Sequence, residues 1–273
     1  MGEVRAAIAI ARKDLLVLTR YRVAVVAMVF TPLYQGVVPA FLFGTAFAVG
    51  GQVVGLEETA GTANLAGFIF LGGVVSGLVA TAFWAMAMGL RNEMDNGTLE
   101  PSWLTPTRRD TFLIGRAIGG MVMFAFSQAV LFAIGIAFFG LRFEGNVVAA
   151  LPAVLIAVVA MVGVAYFLAA AVLLMREANF FIDTTNFLFS VASGVAFPIT
   201  LLPGALQAVA LLLPTTYAVD ILRHHAIGAR PLFDPVLEHV ALVLVAVLVF
   251  PVGRRAFGAA EHRMRRSGTL AQH

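Results

Sequence analysis

The chain is poor in the residues that most soluble proteins use for cross-links, charge pairs and polar sites. It contains no cysteine, which excludes disulfides and thiolate metal sites. Charged residues make up 12% of its 273 residues and hydrophobic residues 60%, whereas soluble domains average about 25% charged residues. Because the apolar residues gather in long uncharged runs, these proportions predict an all-α integral membrane protein.

Lysine is almost absent as well. The one lysine, Lys13, follows Arg12 and lies in no glycine-rich loop, whereas a Walker A phosphate loop needs glycines directly before its lysine. We therefore predict that the chain is no enzyme by itself and has no cofactor of its own. The net charge of +3 is better explained by membrane topology than by nucleic acid, which we do not expect as a partner.

Long apolar runs predict six transmembrane helices. They are Val23–Val49, Ala63–Leu90, Thr111–Leu141, Val147–Met175, Phe180–Phe197 and Val236–Val252. The centres of all six lack ionisable residues, since Arg116, Asp183 and Glu238 lie at span ends. An ion-coupled secondary transporter usually carries ionisable groups at mid-membrane, so that class is the weaker alternative.

The basic residues predict the topology. In a six-span arrangement, fifteen of the 18 basic residues face the cytoplasm, and only Arg142, Arg223 and Arg230 face outwards. Cytoplasmic loops carry the excess of lysine and arginine. Both termini are thus predicted to be cytoplasmic, in a multi-pass protein of the bacterial inner membrane.

A further apolar stretch, Gly204–Leu222, is broken by Pro214. If it crossed the membrane, the five arginines of the C-terminal tail would face outwards, against the positive-inside rule. We therefore predict that segment 198–222 is an outer re-entrant helix pair, which only a protein-lined position tolerates. The residues expected to shape it are Pro198, Pro203, Pro214 and Tyr217.

The whole chain, 1–273, is predicted to form a single transmembrane domain. Residues 1–22 form an N-terminal amphipathic interfacial helix, because apolar residues recur there at spacings of three and four. Those residues are Val4, Ile8, Ala11, Leu15 and Leu18. Residues 23–252 hold the six-span core, and residues 253–273 form a basic cytoplasmic tail.

The polar segment 91–110 lies between two predicted spans and is expected to hold a short helix. Asn96-Gly97 favours a turn because both residues tolerate left-handed backbone. Thr98 is a suitable N-cap for the helix that follows, and Pro106 ends it.

One face of this short helix is predicted to carry Leu99, Trp103 and Leu104. An exposed tryptophan rimmed by charge suits a protein-docking surface, although a position at the lipid headgroups explains Trp103 equally well. After the helix, Thr107 and Asp110 have the spacing of a capping box for the next span.

Two blocks of sequence occur in an order that is typical of one family. The first is Glu93…Asn96-Gly97-Thr98-Leu99-Glu100…Leu104-Thr105-Pro106, and the second is Phe197-Pro198-Ile199…Leu202-Pro203…Leu213-Pro214-Thr215-Thr216-Tyr217-Ala218…Arg223. The first block resembles the E-x-x-x-G-T-L-E-x-L-x-x-x-P loop of the ABC type-2 exporter permeases, the group that includes drug-resistance and polysaccharide-export permeases. Pro101-Ser102-Trp103 fills its variable middle. The resemblance extends along the whole chain.

This resemblance implies the membrane half of an ATP-driven exporter. Two permease copies, or two related chains, would pair with two cytoplasmic ABC ATPase subunits, which would hold ATP and Mg. The loop would be the coupling helix, and the outer re-entrant segment would lie beside the last span. The coupling residues implied are Glu93, Asn96, Gly97, Thr98, Leu99, Glu100, Trp103 and Leu104.

The predicted spans are rich in phenylalanine and poor in polar groups, which suits a lipophilic or amphipathic substrate such as a drug, an antibiotic or a lipid. Export of a glycan or glycolipid is the alternative, and membrane lipid is a further expected partner. Asp220, His224 and His225 form the one cluster that a metal site or a membrane enzyme could use. Since no cysteine supports it, we expect no metal.

Small and polar residues inside the spans predict how the helices pack. Gly73-x-x-x-Gly77 and Gly115-x-x-x-Gly119 permit close helix contacts. Polar residues within the spans are expected to form hydrogen bonds between helices. They are Ser127, Gln128, Asn186, Ser190 and Ser193.

Overall fold

The computed structural model describes residues 2–21, 23, 25–27, 30, 33–46, 48–49, 52–53, 55–175 and 178–267. This part of the chain is almost entirely helical. The α-helices are α1 (Gly2–Arg20), α2 (Val38–Ala46), α3 (Leu56–Ala60), α4 (Leu65–Phe83), α5 (Gly89–Asp95), α6 (Leu99–Trp103), α7 (Arg109–Phe138), α8 (Leu151–Leu174), α9 (Ala178–Ala192), α10 (Gly204–Ala210), α11 (Pro214–Ile227) and α12 (Pro235–Ser267).

Short elements connect or extend these helices. π-helical turns lie at Leu33–Val37 and Trp84–Met88, and 3-10 turns at Val147–Ala150 and Ile199–Leu201. A two-residue strand, Ala48–Val49, pairs antiparallel with Gln52–Val53. The π turn at Trp84–Met88 joins α4 to α5, so that Leu65–Asp95 forms one continuous helical segment.

Four helical segments are long and apolar enough to cross a membrane. They are Leu65–Asp95, Arg109–Phe138, Val147–Leu174 and Pro235–Arg266. They correspond to the predicted second, third, fourth and last spans, which are confirmed as helices of spanning length. The chain is therefore a helical membrane protein with at least these four candidate spans.

The other two predicted spans are not confirmed. Val23–Val49 lies partly outside the described residues, and the elements described within it are the π turn, α2 and the strand Ala48–Val49. The predicted span Phe180–Phe197 corresponds to α9, whose 15 residues measure roughly 22 Å at 1.5 Å per residue. That length falls short of a bilayer core, so the six-span arrangement stays a prediction.

The ends of the spans follow local sequence signals. The Asn64 side chain accepts a hydrogen bond from Gly67 N at 2.8 Å and caps α4. Asp234 caps α12, because its Oδ1 accepts from Val236 N at 3.0 Å. Both residues are among those that best satisfy the free N–H groups of a first turn.

The tightest helix pair is α8 with α12. Gly163 and Gly253 lie at their crossing, where a Cβ on Gly253 would overlap the carbonyl oxygen of Gly163. Tyr166 is fully buried beside it, with its ring 6.0 Å from that of Phe250 and 5.9 Å from that of Phe257. Because lipid tails are as apolar as these side chains, close backbone packing is what holds such a pair together.

The N-terminal helix α1 packs along α7 in the same direction. Ala7 meets Gly115, whose Cβ would lie 2.8 Å from the Ala7 carbonyl oxygen, and Ala11 meets Gly119 at 3.3 Å. The predicted close packing at Gly115-x-x-x-Gly119 is confirmed. Ala7 and Ala11 are buried against α7, whereas Val4 and Ile8 are exposed, which leaves them accessible to lipid. The interfacial position of α1 stays a prediction.

The polar residues of the spans form some of the predicted contacts. Ser76 and Ser190 lie 3.2 Å apart across α4 and α9, and Ser193 shares a hydrogen bond with Thr215. The buried oxygens Gln128 Oε1 and Asn186 Oδ1 have no hydrogen-bond partner among the described residues.

Candidate functional site

The turn before α6 is built around Gly97. Gly97 has φ +67°, and the backbone N–H groups of Gly97 and Thr98 donate to the carbonyls of Met94 and Glu93. This is a Schellman motif, in which glycine takes the left-handed position that ends a helix. The predicted turn is therefore confirmed, although Asn96 itself keeps right-handed backbone, with φ −85°.

The short helix α6 confirms the predicted element but not its predicted face. Leu99 and Trp103 are buried against the helix bundle, and Trp103 is only 7% exposed, whereas Leu104 is 81% exposed. The exposed tryptophan surface was thus a wrong prediction. The reason is that Arg109 donates a hydrogen bond to the Trp103 carbonyl at 3.1 Å and lies over the indole ring, which holds this residue inwards.

Both predicted caps around this helix are also wrong. The Thr98 side chain forms no cap for α6 and instead donates to the Glu93 carboxylate. Asp110 does not cap α7, because its Oδ2 accepts from Arg254 on α12 at 2.6 Å. Glu3 of α1 instead caps the start of α7, since its carboxylate accepts from Arg108 N at 3.4 Å and from the Thr111 hydroxyl.

Glu93 links three helices and the loop. Its Oε1 lies 3.0 Å from Lys13 Nζ on α1 and 3.0 Å from Arg116 Nη1 on α7, and its Oε2 accepts from the Thr98 hydroxyl. Arg116 extends the network to Asp14, whose Oδ2 lies 3.8 Å from its Nε. Because charge-assisted hydrogen bonds are the stronger kind, this cluster ties the loop to α1 and α7.

Glycine makes room for the arginine of this cluster. A Cβ on Gly89 would fall within the Arg116 guanidinium, whose Nε donates to the Ala85 carbonyl in the π turn at 3.1 Å. Burial raises the pKa of the neighbouring Asp14 carboxyl, although Arg116 and Lys13 act in the opposite direction.

The proline-rich segment that follows α9 holds two helices bent by 87°. α10 and α11 meet at this angle, with Pro203 before α10 and Pro214 as the first residue of α11. The Tyr217 hydroxyl donates to the Leu211 carbonyl at 2.7 Å, across the bend. Pro198 precedes the 3-10 turn Ile199–Leu201. The broken helix pair is confirmed, whereas its re-entrance from the outer face stays a prediction.

Arg223, on α11, is the main polar residue that sequence reasoning underrated. It is 4% exposed and donates to the carbonyls of Phe68 at 2.9 Å, Gly194 at 2.8 Å and Val195 at 2.5 Å. Its guanidinium carbon lies 3.4 Å from the Phe68 ring centroid. The side chain thus joins α11 to α4 and to the end of α9.

Residues 5–226 match the family described as ABC-2 type transporter. The chain belongs to the ABC-2 type transporter family. It is therefore a membrane permease of an ABC transporter, as the sequence resemblance predicted. A comparison with curated proteins gives no significant match.

The family match covers both the 91–110 loop and most of the broken helix pair, α10 and α11. The family implies an ABC ATPase partner in general, and it makes the chain a transport component of the membrane. The buried side of α6, with the Glu93 cluster, is the part that connects the loop to the spans. Of these residues, sequence reasoning missed Lys13, Asp14 and Arg116, although an arginine inside an apolar run was a usable signal.

The residues considered for a metal site, Asp220 and His224, bind backbone groups instead. Asp220 Oδ2 accepts from Leu232 N at 2.7 Å, and His224 Nδ1 lies 3.0 Å from the Ala229 carbonyl. Within the described ranges, no three His, Cys, Asp or Glu side chains lie together as a metal would require.

Proposed function

We propose that this permease is the membrane subunit of an ATP-driven exporter, and that segment 91–110 is its contact with a separate ATPase subunit. The supporting observation is the two-sided loop helix. Its inner side is buried through Leu99 and Trp103, while the Glu93 cluster joins the loop to α1 and α7. A displacement of the exposed side of α6 by a bound ATPase would therefore be transmitted to α1 and α7 as well.

The docking surface itself lies on the exposed side of α6. Glu100, Leu104, Thr105 and Pro106 are exposed there, and Leu104 is the large apolar side chain among them. A central apolar residue within a polar rim has the composition of a protein interface. Leu104 thus takes the role that the sequence had suggested for Trp103.

ATP and Mg would be held by the ATPase subunit, since the permease has no phosphate-binding loop. A second permease copy, or a related chain, would complete the pathway. An interior without ionisable groups at mid-span suits a lipophilic or amphipathic substrate, such as a drug, an antibiotic or a lipid. A glycan or glycolipid is the alternative substrate.

The charge asymmetry supports a bacterial inner-membrane topology with both termini and the 91–110 loop in the cytoplasm. Segments 50–62, 142–146 and 198–235 would then face outwards. The absence of cysteine gives a background-free test by single-cysteine labelling from outside. Gly228→Cys should be labelled and Ala271→Cys should not. Labelling of Ala271→Cys, or none at Gly228→Cys, would contradict the six-span topology.

Transport should follow ATP and ignore the proton gradient, because no ionisable side chain lies at the centre of a predicted span. The measurement is efflux of a lipophilic dye such as ethidium from proteoliposomes that hold the permease and its co-purifying ATPase. Removal of ATP should abolish efflux, and a protonophore should leave its rate unchanged. Efflux that persists without ATP and stops with the protonophore would instead favour a secondary transporter.

A further inference from the structure

A strongly basic cavity lies where α7 begins beside the last turns of α12. Its volume is about 530 Å³. Five arginines and two carboxylates line it, which leaves an excess of three positive charges. They are Arg108, Arg109, Arg254, Arg255 and Arg265, with Asp110 and Glu261.

Each carboxylate of this cavity is shared by two arginines. Asp110 pairs with Arg254 at 2.6 Å and Arg108 at 3.8 Å, and Glu261 pairs with Arg265 at 2.8 Å and Arg109 at 3.3 Å. Among the residues that the structure describes, Arg255 has no carboxylate within ion-pair distance. The cavity therefore presents cationic groups that its own acids do not neutralise.

An apolar groove continues from this cavity between α7 and α8. Its volume is about 490 Å³, and Ile118, Val122 and Val159 line it. Phe250 of α12 borders both the groove and the basic cavity. The α7 residues of the groove run from 114 to 125, which is roughly 17 Å at the helical rise of 1.5 Å per residue.

We propose that this combined surface binds one anionic phospholipid of the cytoplasmic leaflet, with its phosphate among the arginines and an acyl chain in the groove. Arginine forks match phosphate oxygens, and their attraction is strong beside an apolar medium. The depth also fits, because the predicted last span ends at Val252 and the arginines of α12 begin at Arg254.

Charge decides against a second copy of the chain as the occupant. A two-fold contact brings the same patch of both copies together, so each copy would add its own excess positive charge to the face. A free phosphate ion would fill only the basic cavity and would leave the groove unused. The proposal does not depend on ATPase coupling, since lipid binding is measured on the permease alone.

The test is native mass spectrometry of the detergent-purified permease, titrated with dioleoylphosphatidylglycerol or dioleoylphosphatidylcholine. Arg255→Gln removes an arginine that holds no carboxylate, and Val159→Trp fills the groove at a partly exposed position. Ile118→Trp fills the groove from the α7 side. The matched controls are Arg263→Gln, on the same helix, and Leu155→Trp, an exposed position of α8; neither lines these cavities.

We expect the native permease to retain phosphatidylglycerol more tightly than phosphatidylcholine. Arg255→Gln should weaken phosphatidylglycerol binding about fivefold, the usual effect of one basic residue near an anionic surface. Val159→Trp and Ile118→Trp should weaken it at least as much, and both controls should match the native permease.

Four results would overturn the proposal. One is equal binding of the two lipids, and another is equal binding by Arg255→Gln and Arg263→Gln. A third is competition by inorganic phosphate together with indifference to both tryptophan variants, which would indicate a free-anion site. The fourth is a dimer that dissociates in Val159→Trp while phosphatidylglycerol binding is unchanged, which would assign the face to a second copy.

Discussion

Replacement of Trp103 by alanine should abolish transport and loosen the 91–110 loop from the helix bundle. The side chain is buried within the main hydrophobic cluster of the permease, and truncation of a buried tryptophan costs about 3–5 kcal/mol. The loss falls on a one-turn helix, which has little stability of its own. We therefore expect faster proteolytic cleavage at the loop and loss of ATP-dependent efflux.

The matched variant is Leu104→Asp, one residue further along. Since Leu104 is 81% exposed, this change should leave thermal unfolding of the permease alone unaffected. It should reduce ATPase co-purification by about tenfold or more, as loss of a central interface residue commonly does. The comparison separates the inner side of α6 from its outer side. If Trp103→Ala keeps its loop protected while Leu104→Asp unfolds, the two sides have been assigned the wrong way round.

Replacement of Arg223 by methionine should strongly destabilise the packing of α11 against α4 and the end of α9. The buried guanidinium satisfies the carbonyls of Phe68, Gly194 and Val195, and hydrogen bonds to a charged group contribute about 1.5–3 kcal/mol each. Methionine fills a similar volume but removes the donor from the loop carbonyls of Gly194 and Val195, whereas Phe68 lies within α4 and keeps its helical position. We expect a net loss of about 3 kcal/mol or more after the relief of the buried charge is counted, seen as a lower melting temperature in detergent.

Arg223→Lys tests whether charge alone is sufficient. A lysine ammonium cannot reproduce the planar fork that reaches carbonyls on two sides, so this variant should also melt early. The control is Arg230→Met, an exposed arginine that lines the same cavity as Arg223, and it should melt like the native permease. A native melting temperature for Arg223→Met would mean that water or neighbouring groups replace the guanidinium at no cost.

Features that depend on near neighbours in the chain were accessible from sequence. The turn at Gly97 follows from the tolerance of glycine for left-handed backbone, and the break before α11 follows from Pro214. Four spans follow from long apolar runs. The family was also accessible, because its loop motif lies within fourteen consecutive residues, Glu93 to Pro106.

Features that depend on residues far apart in the chain were not accessible from the sequence. The cap expected at Asp110 is absent because its carboxylate binds Arg254, on the last helix, 144 residues away. The cap expected at Thr98 is absent for a local reason, since Glu93 lies only five residues away. A sequence window offers each polar residue its local partners only, whereas the folded chain brings a charged partner that binds more strongly.

The sequence by itself determined the class of this protein, its long spans, the turn at Gly97 and the helix break at Pro214, since each depends on hydropathy or backbone preference over one short stretch. Only the tertiary structure decided which way Trp103 faces, which helices Glu93 connects, and that Arg223 lies buried among carbonyls. The physical reason is that burial and charge pairing are properties of surfaces that meet in space, and a helix has several faces of nearly equal hydropathy. In α1, the close packing of Ala7 and Ala11 on two glycines of α7 determines which residues are buried, although larger apolar residues lie elsewhere on the helix.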